Sequence, residues 1–490
     1  MDWIQGFVFL FCIGLLIFIA EVIRTRLGLA SEITRKFVHI LTGLFIASTP
    51  FVFQSHYPIL AIALMFIIVN YVAIKKGKFK SIHATEHVSY GTVYYPIAFF
   101  ILTYLLWHNH KVILITSFLI LALGDALASI IGGRVKQPKK FTFGEESKSL
   151  QGTLVMFVSS FVIVFFTLYF LGFIDSIKLA IEHTFWIALI TSIVATSSET
   201  ISFKGSDNLT VPLSAAFTLH FMITHCPFYW SFILGVSLAL FIALISYRLK
   251  FLDGGGSVAT FLLGTVVFGS GGCKFALPIL LFFILSSLLS KVGKQHKQKF
   301  SDTFQKSSQR DLWQVLANGG MAGLIVLMWN YFPHDLWYYM YAGSLAAATA
   351  DTWGTEIGVF SKINPRNIMN FKAVPVGASG GITLLGTSGA LLGSFIIAGI
   401  AALFMENINI MLIIAISGLL GSMVDSFVGA TIQAQYRCPQ CCKVTEKIVH
   451  CDGQKTNLIS GWEFVNNDVV NSICTFSGAV FVWIAVKVFV

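Results

Sequence analysis

The sequence predicts an all-α fold, a polytopic helical integral membrane protein, and three observations carry that prediction. Of 490 residues, 56% are hydrophobic and only 11% are charged, against roughly a quarter charged in ordinary soluble chains. Apolar runs of about 15 to 22 residues recur between short polar or glycine-rich breaks, long enough to cross a hydrocarbon layer as helices. The basic residues are also sorted. With loops assigned alternately to two sides, all of the 33 Lys and Arg except Lys111, Lys178, Lys274 and Lys487 fall on one side, which the positive-inside rule makes cytoplasmic. These patterns exclude a water-soluble globule and a disordered chain. They assign the net charge of +10 to topology and to contact with anionic headgroups or a nucleotide, with no nucleic-acid partner. About sixteen transmembrane helices in two modules are expected, with both termini outside.

In chain order, the first apolar run opens at Trp3 with only Asp2 as a charge before it. Without a basic leader or a cleavage site it is expected to be a retained span, and the lack of a transit segment favours a bacterial plasma membrane. Residues 1–247 form the first module, with about nine spans. The chain divides where Arg248 and Lys250 precede Asp253 and Gly254 to Gly256. Residues 248–490 form the second, with about seven spans and a Cys-rich inner loop at 431–467.

Both modules place polar residues at the inner ends of their spans. In the first these are Arg35, Lys36, His39, Asp125, Glu199, Asp207 and Asn208; in the second, Asn318, Asp351, Glu356, Asp425, Asn467 and Asn471. A small residue trails each intramembrane Asp by four positions: Ser129 after Asp125, Thr355 after Asp351, Gly429 after Asp425. On a helix those positions share a face. A carboxylate inside a membrane costs about 2.5 to 3.5 kcal/mol, and the negative end of a helix adds about 0.3 to 1 kcal/mol. A divalent cation offsets this most simply, because Mg²⁺ takes one or two carboxylates and completes its shell with water and phosphate oxygens. Asp125, Glu199, Asp207, Asp351, Glu356 and Asp425 are therefore candidate Mg²⁺ ligands. Asp125, Asp207, Asp351 and Asp425 are the candidate catalytic groups.

A bound polyphosphate also needs cations and amide donors. After Asp125 and Ser129 comes a basic loop with Arg134, Lys136, Lys139 and Lys140, and then Gly144 to Thr153 with Lys148 and Ser149. Arg35, Lys36, His39, Ser129, Lys148, Ser149 and Asn208 are the expected nucleotide contacts of the first module. In the second, Asn318, Gly377, Ser379, Gly380 and Asn467 are the expected contacts, the glycine loop at 377–381 opening a helix whose free amides face an anion.

The segment from Asp125 to Thr153 resembles the CTP-binding signature of the dolichol kinase, phytol kinase and phosphatidate cytidylyltransferase superfamily. Ser147 and Gln151 stand where that family carries a second basic residue and a Glu. Arg35-Lys36-x-x-His39, Ser89 to Thr92, and Glu199 with Asp207 to Pro212 extend the likeness, the last two toward phytol kinase, over roughly residues 20–225. This resemblance implies transfer of a CTP γ-phosphoryl group to an isoprenoid alcohol such as phytol or geranylgeraniol. Residues 250–490 resemble the family of domain of unknown function 92, which includes transmembrane protein 19 and phytyl-phosphate kinases. That second resemblance implies phosphorylation of a prenyl phosphate. Together they imply a bifunctional lipid kinase, with a cytidylyltransferase forming a CDP-lipid and a secondary transporter as the alternatives.

Three further motifs complete the reading. Cys438-Pro-Gln-Cys441 followed by His450 and Cys451 has the spacing of a structural zinc site. His83-x-x-Glu86-His87 matches an inverted zinc-protease pattern but has no third ligand. Gly269 to Lys274 lacks the full phosphate-loop form and reads as a tight turn between helices.

Overall fold

The computed structural model describes residues 2–28, 31–76, 89–143, 146–225, 229–292, 309–405, 407–451 and 453–489. The His83 to His87 motif, Gly144 and Glu145 lie outside the described residues. Two compact units are present, Met1–Trp230 and Ser231–Val490. The helix Tyr229–Arg248, counted from the sequence with the first module, therefore goes almost entirely with the second unit. A Cβ on its Gly235 would come within 2.6 Å of the Phe268 carbonyl and the Gly269 amide.

The first unit is built from α1 (Asp2–Leu27), α2 (Ser31–Val52), α3 (Tyr57–Lys75), α4 (Gly91–Leu106), α5 (Lys111–Arg134), α6 (Leu150–Leu171), α7 (Ile181–Thr200) and α8 (Asp207–Thr224). Helix α5 is central: 67% of its apolar window is buried, against 28% for α1, α3 and α6, whose remaining faces are left for lipid. A π-helical turn, Ile120–Asp125, interrupts α5 and ends on Asp125. Such bulges loosen the regular ladder and recur at functional sites. Here the Leu121 carbonyl inside the bulge lies 3.1 Å from His39 Nε2 on α2.

Beyond α5 the chain forms a hairpin, β1 (Lys140–Thr142) with β2 (Ser147–Ser149), which pairs Phe141 with Lys148. Ser149 then caps α6 by accepting from the Gly152 amide at 3.1 Å. A Cβ on Gly132 would stand 3.1 Å from the Gly152 Cα, so α5 and α6 cross at a pair of glycines, the small-residue contact that lets membrane helices approach. That crossing carries Ser149 and Lys148 up to the Asp125 helix. Gly205, with φ +83°, lays the turn before α8 onto the start of α4, where a Cβ would meet Gly91 at 2.6 Å.

The second unit contains α9 (Tyr229–Arg248), α10 (Gly254–Val292), α11 (Leu312–Tyr331), α12 (Asp335–Gly358), α13 (Leu384–Ala402), α14 (Ile408–Thr431) and α15 (Asn467–Phe489). Helix α12 is its axis. The run Ala342 to Ala350 is buried throughout, and its small residues admit α13, α14 and α15 on different sides. A Cβ on Gly343 would sit 2.7 Å from the Gly478 carbonyl oxygen of α15. The Tyr341 hydroxyl of α12 donates to the Phe275 carbonyl of α10. Helix α10 is broken at Gly272, where φ is +63°, and near its end Lys291 Nζ lies 3.2 Å from the Leu249 carbonyl and 3.9 Å from the Phe251 ring centroid.

The fold is helical, as expected, but the span count is corrected. Among the described residues, ten helical stretches are long and apolar enough to cross a membrane, with Gly91–Leu106 a shorter apolar helix, so about sixteen is not supported. The excess comes partly from α2, α7, α8 and α12, which carry the polar groups of the sites and fall outside the ten. The loops also fold into small antiparallel sheets that no helical reading anticipates. Besides the β1–β2 hairpin these are β3 (Arg366–Asn367) with β4 (Gly381–Ile382), the order β6-β5-β9 from Val444–Thr445, Gln435–Arg437 and Asn457–Ser460, and β7 (Val449–His450) with β8 (Gln454–Lys455).

Candidate active sites

Each unit holds a cavity lined by its candidate residues. That of the first has a volume of about 1040 Å³, and its wall includes Arg35, Lys36 and His39 of α2, Asp125 and Ser129 of α5, and Lys148 and Ser149 of the hairpin. Glu199 of α7 and Asp207 and Asn208 of α8 complete the polar part. All ten first-module candidates thus border one hollow. Its other wall is apolar: Phe9, Ile13 and Ile17 of α1, Ile46 of α2, Ile62 and Phe66 of α3, and Phe99 of α4.

Asp125 faces the carboxylates of Asp207 and Glu199 and the cations of Lys148 and Arg35. Its Oδ2 stands 3.9 Å from His39 Nε2. Asp207 Oδ1 accepts from both the amide and the Nδ2 of Asn208 at 2.9 Å. Glu199, a candidate metal ligand in the sequence, pairs with Lys148, its Oε1 lying 2.6 Å from Lys148 Nζ. Burial works against the Lys148 ammonium, but Glu199, Asp207 and Asp125 outweigh it and hold its pKa above the ordinary lysine value. Lys148 is therefore charged at neutral pH. Ser149 divides its hydroxyl between this wall and the cap of α6.

The lining also includes Asn70, Glu146 and Lys204. Asn70 donates from Nδ2 to the Thr92 carbonyl at 2.8 Å, and its signal was a lone amide in the apolar run of α3. Glu146 Oε1 accepts from the Lys204 amide at 2.6 Å, which ties the hairpin to the turn before α8. Both Glu146 and Lys204 border the cavity.

The cavity of the second unit is smaller, about 510 Å³, and is bordered by Asn318, Asp351, Glu356, Gly377, Ser379, Gly380, Asp425, Asn467 and Asn471. Asp425 faces Asp351 and Glu446. Its Oδ2 is buried, and the Asp425 carboxyl is within hydrogen-bond reach of Asp351. Glu356, expected on the cation, accepts from Ser290 Oγ at 2.8 Å and faces Arg310. The glycine loop needs its glycines, with φ +87° at Gly377 and +75° at Gly380. A Cβ on Gly380 would lie 2.4 Å from the Ala430 Cβ and 2.7 Å from its backbone nitrogen. Thr383, not the loop itself, caps α13 by accepting from the Gly386 amide at 2.9 Å. Sequence reasoning missed Arg310, Gln433 and Glu446, which all border this cavity. Burial raises the Glu446 carboxyl above its ordinary range, against hydrogen bonds from Ser379 and Gln433.

Among the described residues, one group of three or more metal-ligating atoms lies close together: Cys438, Cys441, His450 and Cys451, all within 4.8 Å of one another. The acids of the two cavities make no preassembled cage of three carboxylates among the described residues. That is no bar to Mg²⁺, which keeps several waters and binds by one or two carboxylates plus substrate phosphate. In the Cys group, the Cys441 amide hydrogen bond brings the Cys438 thiol down to about 6. Hydrogen bonding to Cys441 pushes Cys451 up to about 12. Cys442 is exposed.

Residues 237–479 match the family described as integral membrane protein DUF92. Protein PGR of Arabidopsis thaliana is 32% identical over 267 residues, which is 49% of this chain and 91% of that protein. This chain belongs to the DUF92 integral membrane family. The DUF92 segment contains every residue bordering the second cavity and the Cys-His group, whereas the first cavity lies wholly before it. The chain is also similar to the phytol kinase of Synechocystis sp., 30% identical over 210 residues, 42% of this chain and 85% of that protein. A probable phytol kinase 1 of Glycine max is 29% identical over 39% of this chain and 68% of its own. No solved structure matches.

Proposed function

We propose that this DUF92 protein is a membrane lipid kinase that phosphorylates an isoprenoid alcohol of the phytol or geranylgeraniol class, first to the monophosphate in the first unit and then to the diphosphate in the second. The observation that carries this reading is the first cavity, where a wall of acids and cations continues into a wall of aliphatic and aromatic side chains. An amphiphile with a reactive head and a long apolar tail suits both walls, and the likeness to phytol kinases points to the same substrate class.

Phosphoryl transfer asks a protein mainly for positioning and charge neutralisation. Asp125 and Asp207, which face each other, fit a Mg²⁺ ion that neutralises charge on a nucleoside triphosphate, with CTP the expected donor. Glu199 serves by orienting Lys148. Lys148, Arg35 and Lys36 hold phosphate oxygens, and Ser129 and Asn208 supply hydrogen bonds. The alcohol oxygen forms a bond to the terminal phosphorus as the bond to the β-phosphate oxygen breaks. The hydroxyl proton passes to Asp125 or Asp207, and the nucleoside diphosphate leaves. His39, 3.9 Å from Asp125, orients that carboxylate.

In the second unit, Asp351 and Asp425 take the corresponding roles, and two carboxyls held this close suit a cation. Asn318, Gly377, Ser379, Gly380 and Asn467 contact the phosphates. The basic loops, cytoplasmic by the positive-inside rule, support a reading in which both sites face the cytoplasmic side of a plasma membrane.

The test is label transfer with the purified protein in detergent, given phytol or geranylgeraniol, Mg²⁺, and CTP labelled either at the γ-phosphate or in the cytidine. The expected result is γ-label in the lipid fraction and no cytidine label. Cytidine in the lipid would instead identify a CDP-lipid-forming cytidylyltransferase. Absence of both labels across a range of prenols would overturn the kinase reading and leave transport.

A further inference from the structure

The segment after α14 brings Cys438, Cys441, His450 and Cys451 to one point by two tight turns. The first follows β5: the Cys438 amide donates to the Lys443 carbonyl at 3.1 Å, the Cys442 amide donates to the Cys438 carbonyl at 2.9 Å, and Cys442 is left-handed with φ +56°. The second closes the β7–β8 hairpin, with φ +38° at Cys451 and +90° at Gly453. His450 Nδ1 lies 3.1 Å from Cys451 Sγ and 3.5 Å from Cys441 Sγ. A tetrahedral ion with Zn–S of about 2.3 Å and Zn–N of about 2.0 Å sets its donors about 3.4 to 3.8 Å apart. The observed group, within 4.8 Å, closes to that with small side-chain shifts. The thiols are free, and three sulfurs with one imidazole select zinc over magnesium or calcium.

The stretch between the two turns carries Glu446. Its Oε1 accepts from Ser379 Oγ at 2.7 Å and from Gln433 Nε2 at 3.0 Å, so a half-buried loop carboxylate reaches the second cavity and grips the glycine loop. Strand β6, just before it, pairs with β5 at only two positions, Tyr436 with Thr445 and Arg437 with Val444. So short a pairing at the edge of a small sheet adds little rigidity and holds a half-buried carboxylate poorly. Cys441 lies on one side of Glu446 in the chain and His450 on the other.

We propose that Cys438, Cys441, His450 and Cys451 bind one zinc ion, and that this ion clamps both ends of the 442–449 stretch so that Glu446 positions Ser379 and the glycine loop in the second cavity. Zinc binding stands on the donor geometry alone. Its consequence for the second phosphorylation rests on the function proposed above. Glu446 is a positioning residue in this account.

The test uses the full-length protein in detergent. Metal analysis should find one zinc per chain, lost in Cys441→Ser, and cobalt exchange should give the intense visible bands of a tetrahedral thiolate site. Chelation should raise hydrogen exchange across 442–449, and zinc should restore protection. Conversion of prenyl monophosphate should fall about 10- to 100-fold on chelation, with the alcohol step unchanged. Glu446→Ala should bind zinc normally yet lose the same step, whereas Glu446→Gln, which keeps an acceptor oxygen for Ser379, should lose less. No bound zinc, or zinc whose removal leaves exchange across 442–449 unchanged, would overturn the proposal. If the wild type converts no prenyl monophosphate at all, the kinase reading of the second unit fails, while metal content and exchange still decide the clamp.

Discussion

Lys148 has two duties in this account, to neutralise buried Glu199 and to hold phosphate, and mutation separates them. The two side chains are 17% and 9% exposed and 2.6 Å apart. Removing one partner of a buried pair costs about 3 to 5 kcal/mol, because the other charge is left without compensation. Lys148 retains some solvent access, so Lys148→Met should destabilise the first unit by about 3 kcal/mol, at the lower end of that range. Adding Glu199→Gln removes the stranded charge, and the double variant should regain most of the loss, since apolar replacement of a buried pair is often close to neutral. Turnover should behave differently. Loss of one preorganised donor to a developing charge costs about 100- to 1000-fold in rate, and the double variant should stay that slow. Denaturation in detergent with prenol phosphorylation measured on the same samples completes a double-mutant cycle. If the double variant regained wild-type turnover together with stability, Lys148 would be only a counter-ion and its phosphate role would be refuted.

Other outcomes follow from particular contacts. Gly380→Ala must place a Cβ against Ala430 at φ +75°; the left-handed backbone alone costs about 1 to 2 kcal/mol, and diphosphate formation should be lost while monophosphate formation persists. Ile62→Trp narrows the apolar wall of the first cavity, and competition between prenols of different length should show a shift toward shorter alcohols with little change for the shortest. Burial raises the Glu446 carboxyl above its unfolded value, so its contribution to stability is fully present below the ordinary glutamate pKa and is lost as pH rises through the raised one. Glu446→Gln should flatten that limb of the stability curve, measured by denaturation between about pH 4 and pH 8; an unchanged slope would count against a Glu446 carboxyl that ionises in this range.

The acids at the cavities were legible because a carboxylate inside an apolar run is expensive and stands out. Asp125, Asp207, Asp351 and Asp425 needed no three-dimensional knowledge to be singled out. Lys148 was legible from its place after a helix ending in Gly132 and Gly133. Partners were not legible. Sequence shows that Glu199 is charged but not that the hairpin register delivers Lys148 to it, nor that Ser290 and Arg310 meet Glu356. Glu446 left no signal, since one acid in a polar loop is ordinary and reaches the cavity only through the fold of β5 and β6. The span count failed for a related reason: helices such as α7 and α12 carry the polar groups that build the sites, so apolarity stops being a guide where function begins. Arg248 and Gly254 to Gly256, which suggested the division, follow a helix, α9, that packs against Phe268.

The central claim is that two sites carry out two successive phosphorylations, and separate feeding of alcohol and prenyl monophosphate to Asp125→Asn and Asp425→Asn tests it most directly. The account predicts that Asp125→Asn fails with the alcohol yet still converts the monophosphate to diphosphate, and that Asp425→Asn makes monophosphate and stops there. If both variants lost both reactions, or if Asp425→Asn formed diphosphate at the wild-type rate, the assignment of one step to each cavity would be contradicted.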